Sequence, residues 1–255
     1  MRFKGKTAIV VGGSQGIGAC ISERLAREGA GVAIVASSDA RKAQALADRI
    51  NAAGGRAAGH AADVRDAADL ARVVDHVVEA EGKLDLLVNC AGVFYGTPVG
   101  GTAQSDAARM IDINLLGAFN CVSVAAPHMK KHGSGKIVTI ASVAAVMGVT
   151  GYSLYCATKA GVSMMTRALA LELAPAGINI NAIAPGNTAT PINENVRNDP
   201  EFRPMLDAMA ARTPSGNVYS SPDDIASLAL YLLSEDARAM HGSTVLIDEG
   251  FSAGM

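Results

Sequence analysis

Short apolar runs alternate along the chain with longer stretches in which apolar residues recur at helical spacing. Six of these runs predict β-strands, at residues 7–11, 32–36, 84–89, 136–141, 178–184 and 244–247. The runs are apolar throughout rather than at every second position. That is typical of strands covered on both faces in a parallel sheet.

Amphipathic helices are predicted between the strands. One apolar face comprises Ile17, Cys20, Ile21 and Leu25, and a second comprises Leu70, Val73, Val74, Val77 and Val78. The repeated order strand, helix, strand favours right-handed crossovers and a doubly wound α/β sheet with helices on both faces. The chain shows no linker, low-complexity tract or internal repeat, so residues 1–255 are predicted to form a single domain.

Two segments depart from this alternation. Residues 152–173 are apolar on nearly every side, so either the core of the domain or a second subunit is expected to cover them. Residues 187–217 are rich in Pro, Asn, Thr and Met, and they are long for a simple connection. Long excursions of this kind are usually lids or binding loops, so we expect this segment to cover a substrate.

The composition narrows the class of partner. The 255 residues are 49% hydrophobic and 18% charged, with 22 Lys and Arg against 24 Asp and Glu. This near balance argues against nucleic acid or a membrane surface as the main partner. The four scattered cysteines are typical of reduced thiols in a cytoplasmic protein. The five histidines lack metal-ligand spacing, so no metal site is predicted.

A glycine-rich turn follows the first predicted strand. It reads Gly12-Gly-Ser-Gln-Gly16-Ile-Gly18 and leads directly into the first helix. Glycines let the backbone approach a pyrophosphate closely, and the N–H groups at the helix N-terminus attract the anion. The pattern predicts a dinucleotide site, although a tight strand–helix turn without a ligand would give the same glycines.

The end of the second predicted strand bears on which dinucleotide binds. It reads Ala36-Ser37-Ser38-Asp39, with Ala36 where NAD-binding folds often carry a carboxylate for the ribose 2′-hydroxyl. Without that carboxylate a 2′-phosphate is not repelled. Ser37 and Ser38 are candidate donors to it, and Arg41 or Lys42 would add positive charge. This favours NADP over NAD. The alternative is that Ser38 or Asp39 only caps the next helix.

Tyr155 and Lys159 lie four residues apart on a predicted helix and therefore share one face. An ammonium beside a phenol stabilises the phenolate, so we expect the pKa of Tyr155 to fall below its usual value of about 10. Such a tyrosine is usable as a general acid or base. Tyr152 is a weaker competitor, two turns from Lys159, and the pair alone would also suit a solvated helix face.

A series of motifs occurs in the order Gly12-x-x-x-Gly16-x-Gly18, Asn89-Cys-Ala-Gly92, Asn114, Ser142, Tyr155-x-x-x-Lys159 and Pro185-Gly186. The series resembles that of the short-chain dehydrogenase/reductase family over residues 6–250, and the 3-oxoacyl-carrier-protein reductase-like and secondary-alcohol dehydrogenase members look most similar. The resemblance implies a Rossmann-type parallel sheet of about seven strands. It also implies an NAD(P)-dependent oxidoreductase that interconverts ketones and secondary alcohols.

The resemblance implies a catalytic role for each of four residues. Tyr155 would exchange a proton with the substrate oxygen, and Ser142 would hold that oxygen. Lys159 would bind the nicotinamide ribose and lower the pKa of Tyr155, while Asn114 would hold a water in a proton relay. From the residues alone, Asn114 would equally serve a structural role in an apolar helix, and Ser142 would equally cap a turn after a strand.

The other implied residues line the cofactor, for which NADP is favoured and NAD is the alternative. They are Gly12, Ser14, Gln15, Gly16, Ile17, Gly18, Ser37, Ser38, Asp63, Val64, Asn89, Ala91, Gly92, Pro185, Gly186, Thr188 and Thr190, together with Tyr155 and Lys159. In the family, the aspartate at the position of Asp63 contacts the adenine amino group. From the sequence alone, Asp63 would equally cap the helix that begins near Ala67.

Four positions depart from the family pattern. Val11 stands where threonine is usual, which removes a hydrogen bond that we expect packing to compensate. Cys90 replaces the second asparagine of Asn-Asn-Ala-Gly. Gln15 stands where many NADP-dependent relatives carry arginine, which weakens the preference for NADP. Asp248-Glu-Gly250 replaces a common Asp-Gly-Gly, with no effect that the sequence explains.

Two classes of function follow. The first is an oxidoreductase acting on a small-molecule ketone or secondary alcohol, and the second is an NAD(P)-binding regulatory protein without turnover. The presence of Asn114, Ser142, Tyr155 and Lys159 together favours the first. A methyltransferase on a similar sheet would not explain the Tyr–Lys pair. The substrate stays open among carrier-bound acyl chains, steroids, sugars and cyclic ketones. The stretches 102–129 and 152–173 are too apolar for the surface of a monomer. The family resemblance implies that these helices pair between subunits in a homotetramer.

Overall fold

Seven parallel strands form the sheet in the computed structural model, which describes residues 1–253. The strands are β1 (Thr7–Val11), β2 (Gly31–Ala36), β3 (Arg56–Ala61), β4 (Leu86–Asn89), β5 (Gly135–Ile140), β6 (Ile178–Pro185) and β7 (Thr244–Ile247). Their order across the sheet is β3-β2-β1-β4-β5-β6-β7. The winding direction therefore reverses between β1 and β4, and in such sheets ligands bind at the carboxyl ends of the strands beside this reversal.

Nine helices connect the strands within residues 1–253. They are α1 (Gly16–Arg27), α2 (Ala40–Ala52), α3 (Ala67–Glu81), α4 (Gln104–Ile111), α5 (Gly117–His132), α6 (Ser153–Leu173), α7 (Glu194–Asn198), α8 (Arg203–Arg212) and α9 (Pro222–Leu232). The apolar faces of α1, α2 and α9 form the hydrophobic core on one side of the sheet. Those of α3, α5 and α6 form the core on the other side. The doubly wound α/β fold predicted from the sequence is thus confirmed.

The six strands predicted from apolar runs are all present, with bounds shifted by at most two residues. The seventh, β3, has no apolar run because it is an edge strand that pairs with β2 alone. Its residues are exposed or half-buried, and they include Arg56 and His60. An edge strand is covered less completely, so it needs fewer large apolar side chains than the central strands do.

One helical run, Gln104–His132, is long and apolar enough to cross a membrane by length and composition, and half of its most apolar window is buried inside the domain. The run is not one regular helix. Asp112–Leu116 adopts a π-helical turn between α4 and α5, with Asn114 buried in it. Such turns are often found at functional sites, and the helical spacing of these residues did not predict this one.

The excursion after β6 carries α7 and α8 before the chain enters α9. Its two ends meet, because Thr188 forms a parallel β-bridge with Ser220. The residues between them therefore form a closed flap beside the carboxyl end of β6. This geometry agrees with the long excursion predicted for residues 187–217, and its action as a lid stays a prediction.

Candidate active site

The glycine turn lies at the carboxyl end of β1, where steric limits require glycine. Gly12 and Gly16 have φ values of +70° and +54°, in the left-handed region that favours glycine. A Cβ atom at Gly18 would lie 2.2 Å from the carbonyl oxygen of Gly12, and one at Gly12 would lie 2.8 Å from the nitrogen of Ala91. The backbone of the turn therefore packs against itself and against the end of β4, with no room for a Cβ atom at Gly12 or Gly18.

The N-terminus of α1 is left without a side-chain cap. Gln15 occupies the N-cap position and makes no capping hydrogen bond. By contrast, α2, α3 and α9 are capped by Asp39, Asp66 and Ser221. The first N–H groups of α1 are thus free for an external acceptor, and an anion is the ligand that such a helix end favours. This part of the site fits the pyrophosphate of a dinucleotide.

Of the residues that follow β2, one caps the next helix and two expose their hydroxyl groups. Asp39 accepts a hydrogen bond from the backbone N–H of Arg41 at 2.9 Å and pairs with the Arg41 guanidinium at 2.6 Å. The alternative of a helix cap is therefore confirmed for Asp39. Ser37 and Ser38 are exposed and do not cap α2. Two hydroxyl groups, with no carboxylate among residues 36–38, are thus presented at this edge.

Asp63 follows β3 and turns toward Arg65. Its carboxylate accepts from the Arg65 backbone N–H at 3.0 Å and pairs with the guanidinium at 2.5 Å. The Arg65 hydrogen bonds hold the pKa of Asp63 below its usual value. The cap of the helix beginning at Ala67 is Asp66, so the capping alternative for Asp63 is wrong. Val64 is buried beside it.

The departures Val11 and Cys90 lie next to each other at the ends of β1 and β4. Val11 is buried in the core, and its carbonyl oxygen accepts from the Cys90 N–H at 2.8 Å. The packing that we expected in place of a threonine hydroxyl is thus present. Whether cofactor binding is retained stays a prediction.

The end of β4 converges with α6 and the π-helical turn. Asn89 accepts from the Ala91 N–H at 3.1 Å. A Cβ atom at Gly92 would lie 3.3 Å from Oδ1 of Asn114 and 3.5 Å from Nζ of Lys159. Glycine at this position therefore leaves room for both polar groups, and the fold brings together three residues that are distant in sequence.

Asn114 uses its amide group to hold the chain after Gly92. Its Oδ1 accepts from the Val93 N–H at 2.8 Å, and its Nδ2 donates to the Val93 carbonyl at 3.0 Å. The structural role that the sequence left open for Asn114 is therefore present. The proton-relay role stays a prediction, which the nearness of Lys159 supports.

Ser142 begins the short turn after β5 and accepts from the Ala144 N–H at 3.2 Å, so the capping alternative is also confirmed. The same hydroxyl lowers the pKa of Tyr155 by hydrogen bonding, but burial of the phenol outweighs this and raises the pKa above its usual value. The lowered pKa that we expected for Tyr155 is therefore not found in the structure. At neutral pH the phenol holds its proton.

Lys159 is almost fully buried and donates to the carbonyl of Ile140 at 2.9 Å. Its ammonium lies over the ring of Tyr155, 5.8 Å from the ring centre. Burial lowers the pKa of Lys159 to about 8. The thiol of Cys90 lies close enough to interact with Lys159, and burial raises its pKa to about 12. The sequence did not predict this thiol beside the lysine.

Tyr152, the competing tyrosine, belongs to an aromatic cluster instead of the lysine pair. Its ring stacks on Phe94 at 4.6 Å between centres, with an angle of 6° between the planes. Phe94 meets Tyr155 edge to face at 4.8 Å. Phe94 is nevertheless 44% exposed. The cluster therefore presents an apolar, accessible ring next to the phenol of Tyr155.

Pro185 ends β6, and the flap begins beside the glycine turn. The Gly186 N–H donates to the carbonyl of Ile247 at 2.9 Å, and the Thr188 hydroxyl donates to the carbonyl of Gly186 at 3.3 Å. The methyl group of Thr190 lies 3.2 Å from where a Cβ atom of Gly16 would stand. The start of the flap therefore packs against the glycine turn.

Comparisons with known proteins agree with this geometry. A family model described as enoyl-(acyl carrier protein) reductase matches residues 11–252. The chain is 36% identical to a 2,5-dichloro-2,5-cyclohexadiene-1,4-diol dehydrogenase of Sphingobium indicum, covering 100% of this chain and 99% of that protein. It is also 36% identical to 3beta-hydroxysteroid dehydrogenase 1 of Eggerthella lenta, covering 98% of this chain and 95% of that protein.

A solved structure gives the same result. A short-chain dehydrogenase from Burkholderia cenocepacia, in complex with NADP, superposes with a TM-score of 0.87 at 35% identity, covering 98% of this chain and 99% of that chain. The match of the family model over nearly the whole length and the two dehydrogenase relatives agree with the fold and the glycine turn. This chain therefore belongs to the short-chain dehydrogenase/reductase family and is an oxidoreductase of the kind that uses NAD or NADP.

Proposed function

We propose that the protein interconverts a ketone and a secondary alcohol, with Tyr155 as the general acid and base. The observation that carries this proposal is the convergence of Ser142, Tyr155 and Lys159 at the carboxyl end of the sheet, next to an uncapped helix end. A half-buried phenol beside a buried hydroxyl and a buried amine would serve proton transfer to a substrate oxygen. In the family, these are also the residues assigned to that task.

The nicotinamide cofactor, when bound, supplies or accepts the hydride. The chain supplies the proton and the positions of the reacting groups. Because burial raises the pKa of Tyr155, the phenol is protonated at neutral pH and is ready to donate to a carbonyl oxygen. Ser142 would hold that oxygen beside the phenol, since its hydroxyl already lies in reach of Tyr155.

Lys159 would return the proton to Tyr155 and bind the cofactor ribose. Its lowered pKa, about 8, lets the amine release and regain a proton near neutral pH. Asn114 fixes the backbone at Val93 beside the amine and would hold the relay water there. In the oxidation direction the same groups act in reverse, because a general acid in one direction is the general base in the other.

NADP is the cofactor that we propose. The residues after β2 offer the hydroxyls of Ser37 and Ser38, and the nearest carboxylate, Asp39, is already bound to Arg41. A 2′-phosphate would find donors there and no free negative charge. The solved relative in complex with NADP supports this choice, whereas Gln15 in place of arginine counts against it.

An apolar ring compound is the substrate class that the aromatic cluster favours. Phe94 presents an accessible face beside Tyr155 and is held by Tyr152. The names of the two relatives describe alcohols on rings, a cyclohexadienediol and a steroid. A panel of cyclohexanone, a 3-oxosteroid and a 3-oxoacyl thioester, each with NADPH and NADH, tests both the substrate class and the cofactor. Turnover of the thioester alone would contradict the ring proposal.

Replacing Tyr155 by Phe tests the reaction itself. We expect NADPH to bind as before and turnover to fall by about 100-fold or more, since proton transfer is lost. Tyr231→Phe, on the exposed face of α9, is the matched control and should keep full turnover. Unchanged turnover in Tyr155→Phe would reject the catalytic assignment. Saturable NADPH binding by a protein that turns over no member of the panel would instead favour the regulatory alternative.

The assembly and location that we propose are a homotetramer in the cytoplasm. Large apolar side chains are exposed on α5 and α6, among them Phe119, Met164 and Leu171, and Leu246 is exposed on the edge strand β7. Two separate apolar faces on one chain suit a tetramer with two kinds of contact. The scattered free cysteines suit a reducing compartment.

A further inference from the structure

Glu249 has a backbone conformation that favours glycine. Its φ is +60°, and it is the one residue other than glycine with a positive φ within residues 1–253. Side chains are strained in this region, and such strain persists only where surrounding contacts hold it. The position is the middle of Asp248-Glu-Gly250, where the family commonly has glycine. Contacts of the glutamate side chain are therefore expected to stabilise this backbone conformation.

The hydrogen bonds of Glu249 all join it to the C-terminal end of the flap, residues 215–220. Its Oε1 accepts from the Ser220 hydroxyl at 3.0 Å, and its Oε2 accepts from Nδ2 of Asn217 at 3.5 Å. Its backbone carbonyl accepts from the Ser215 N–H at 3.3 Å. Hydrogen bonds from Ser215, Ser220 and Asn217 hold the pKa of this carboxylate below its usual value.

The residues on either side of Glu249 contact both ends of the flap. A Cβ atom at Gly186 would lie 2.8 Å from Cα of Asp248, so the turn packs against the start of the flap. A Cβ atom at Gly250 would lie 3.0 Å from Pro214, so the turn also packs against its end. Glu249 is thus the polar centre of a turn that spans the base of the flap.

Two backbone hydrogen bonds join the ends of the flap beneath this turn. The Ser220 N–H donates to the carbonyl of Asn187 at 2.9 Å, and the Ala189 N–H donates to the carbonyl of Ser220 at 3.0 Å. Ser220 is therefore both the partner of Glu249 and the residue that fixes Thr188. An acceptor that orients the Ser220 side chain would hold this junction closed.

We propose that Glu249 is a positioning residue that clasps the base of the flap and so sets the place of Thr188 and Thr190 beside the cofactor cleft. The proposal rests on the proposed function only in assigning those threonines to the cofactor. Opening the clasp leaves Tyr155, Ser142 and Lys159 in place, because Tyr155 and Lys159 stand on α6 and Ser142 follows β5, outside the flap. Binding should therefore weaken while the proton-transfer groups stay intact.

Amide hydrogen exchange of the cofactor-free protein tests the clasp without any turnover. In Glu249→Ala, which keeps the strained backbone and loses the acceptors, we expect the amides of Ala189 and Ser220 to exchange about tenfold faster. The amides of β6 should keep their wild-type rates. Glu249→Gln retains an acceptor for Ser220 and should restore part of the protection. Glu79→Ala, on the exposed face of α3, is the control and should change neither set.

Limited trypsin digestion gives a second readout on the same proteins. The flap offers Arg197 and Arg212 as cleavage sites, while Arg203 precedes a proline and resists cleavage. Cleavage at these two sites should accelerate in Glu249→Ala and Glu249→Gly. Glu249→Gly also relieves the backbone strain, so its melting temperature should fall less than that of the alanine variant, or rise, while its flap still opens.

Measurements of NADPH binding and of kcat distinguish a local effect on the flap from a general loss of stability. The Kd for NADPH should rise about fivefold to tenfold in Glu249→Ala, with kcat within about twofold of wild type at saturation. Equal exchange at Ala189 and Ser220 in variant and wild type would overturn the proposal. So would faster exchange spread equally over β6 and the flap. If the flap amides respond and NADPH binds neither protein, the clasp stands and the proposed function fails.

Discussion

The ammonium of Lys159 lies over the ring of Tyr155, 5.8 Å from its centre, while its hydrogen bond goes to the carbonyl of Ile140. Lys159 is buried and Tyr155 is half-buried, and burial disfavours the charged form of each. The pKa of the phenol is therefore raised and that of the amine is lowered to about 8. Near neutral pH the phenol is therefore the proton donor, and the amine is close to its own titration.

The pH dependence of the two reaction directions follows from these shifts. Alcohol oxidation needs a group that accepts the proton leaving through Tyr155, and Lys159 becomes able to accept it as pH rises through about 8. We expect kcat/KM for oxidation to rise with pH through that value. For carbonyl reduction we expect kcat/KM to fall over the same range, because the donor side loses its proton. Initial rates from pH 6 to 10 measure both, and parallel profiles for the two directions would contradict the assignment.

The glycine turn gives a prediction based on steric clash. Gly18→Ala places a Cβ atom 2.2 Å from the carbonyl of Gly12, so the turn must shift away from its present shape. Overpacking of this kind costs about 1–3 kcal/mol, and we expect NADPH affinity to fall about 10- to 100-fold. Gly101→Ala is the control, since a Cβ atom there meets its nearest neighbour at an ordinary 3.4 Å. Fluorescence titration with NADPH compares the two, and equal affinities would show that the turn does not touch the cofactor.

The sequence predicts those parts of the fold that are marked by continuous apolar runs, which are the strands other than β3. Central strands are buried on both faces, so their composition alone marks them. β3 was missed because an edge strand tolerates Arg56, Gly59 and His60. The π-helical turn at Asn114 was missed because its residues have ordinary helical spacing, and only the packing of the helix against its neighbours decides where a turn widens.

The sequence identifies candidate residues of the site, but it does not predict their pKa shifts. The spacing of Tyr155 and Lys159 placed both on one helix face, as the structure has them. The sequence suggested that the lysine would lower the phenol pKa. Burial instead raises the pKa of Tyr155, and the degree of burial depends on tertiary contacts such as that between Phe94 and Tyr155. In the same way, the sequence allowed Asp63 to cap α3, whereas the backbone places Asp66 at the cap position.

Cofactor choice should respond to a single carboxylate at the end of β2. In Ala36→Asp the new charge would stand where a 2′-phosphate is proposed to bind, and we expect NADPH affinity to fall about tenfold. NADH affinity should hold or improve, because the carboxylate accepts from a ribose 2′-hydroxyl. Ala52→Asp adds the same charge at the exposed far end of α2 and serves as the control. The ratio of kcat/KM for NADPH and NADH measures the effect, and an unchanged ratio would move the phosphate site elsewhere.

The exposed apolar face of α6 should hold subunits together. Leu171 is 81% exposed and Met164 is 61% exposed, whereas the opposite face of the same helix is buried in the core. A charge at the centre of an apolar contact is desolvated without a partner, so Leu171→Glu should split the assembly into smaller species. Val99→Glu introduces the same side chain at a fully exposed loop position and should leave the assembly whole. Light scattering measures the mass of both variants and of the wild type in solution. A wild-type mass equal to that of a single chain would contradict the proposed interface.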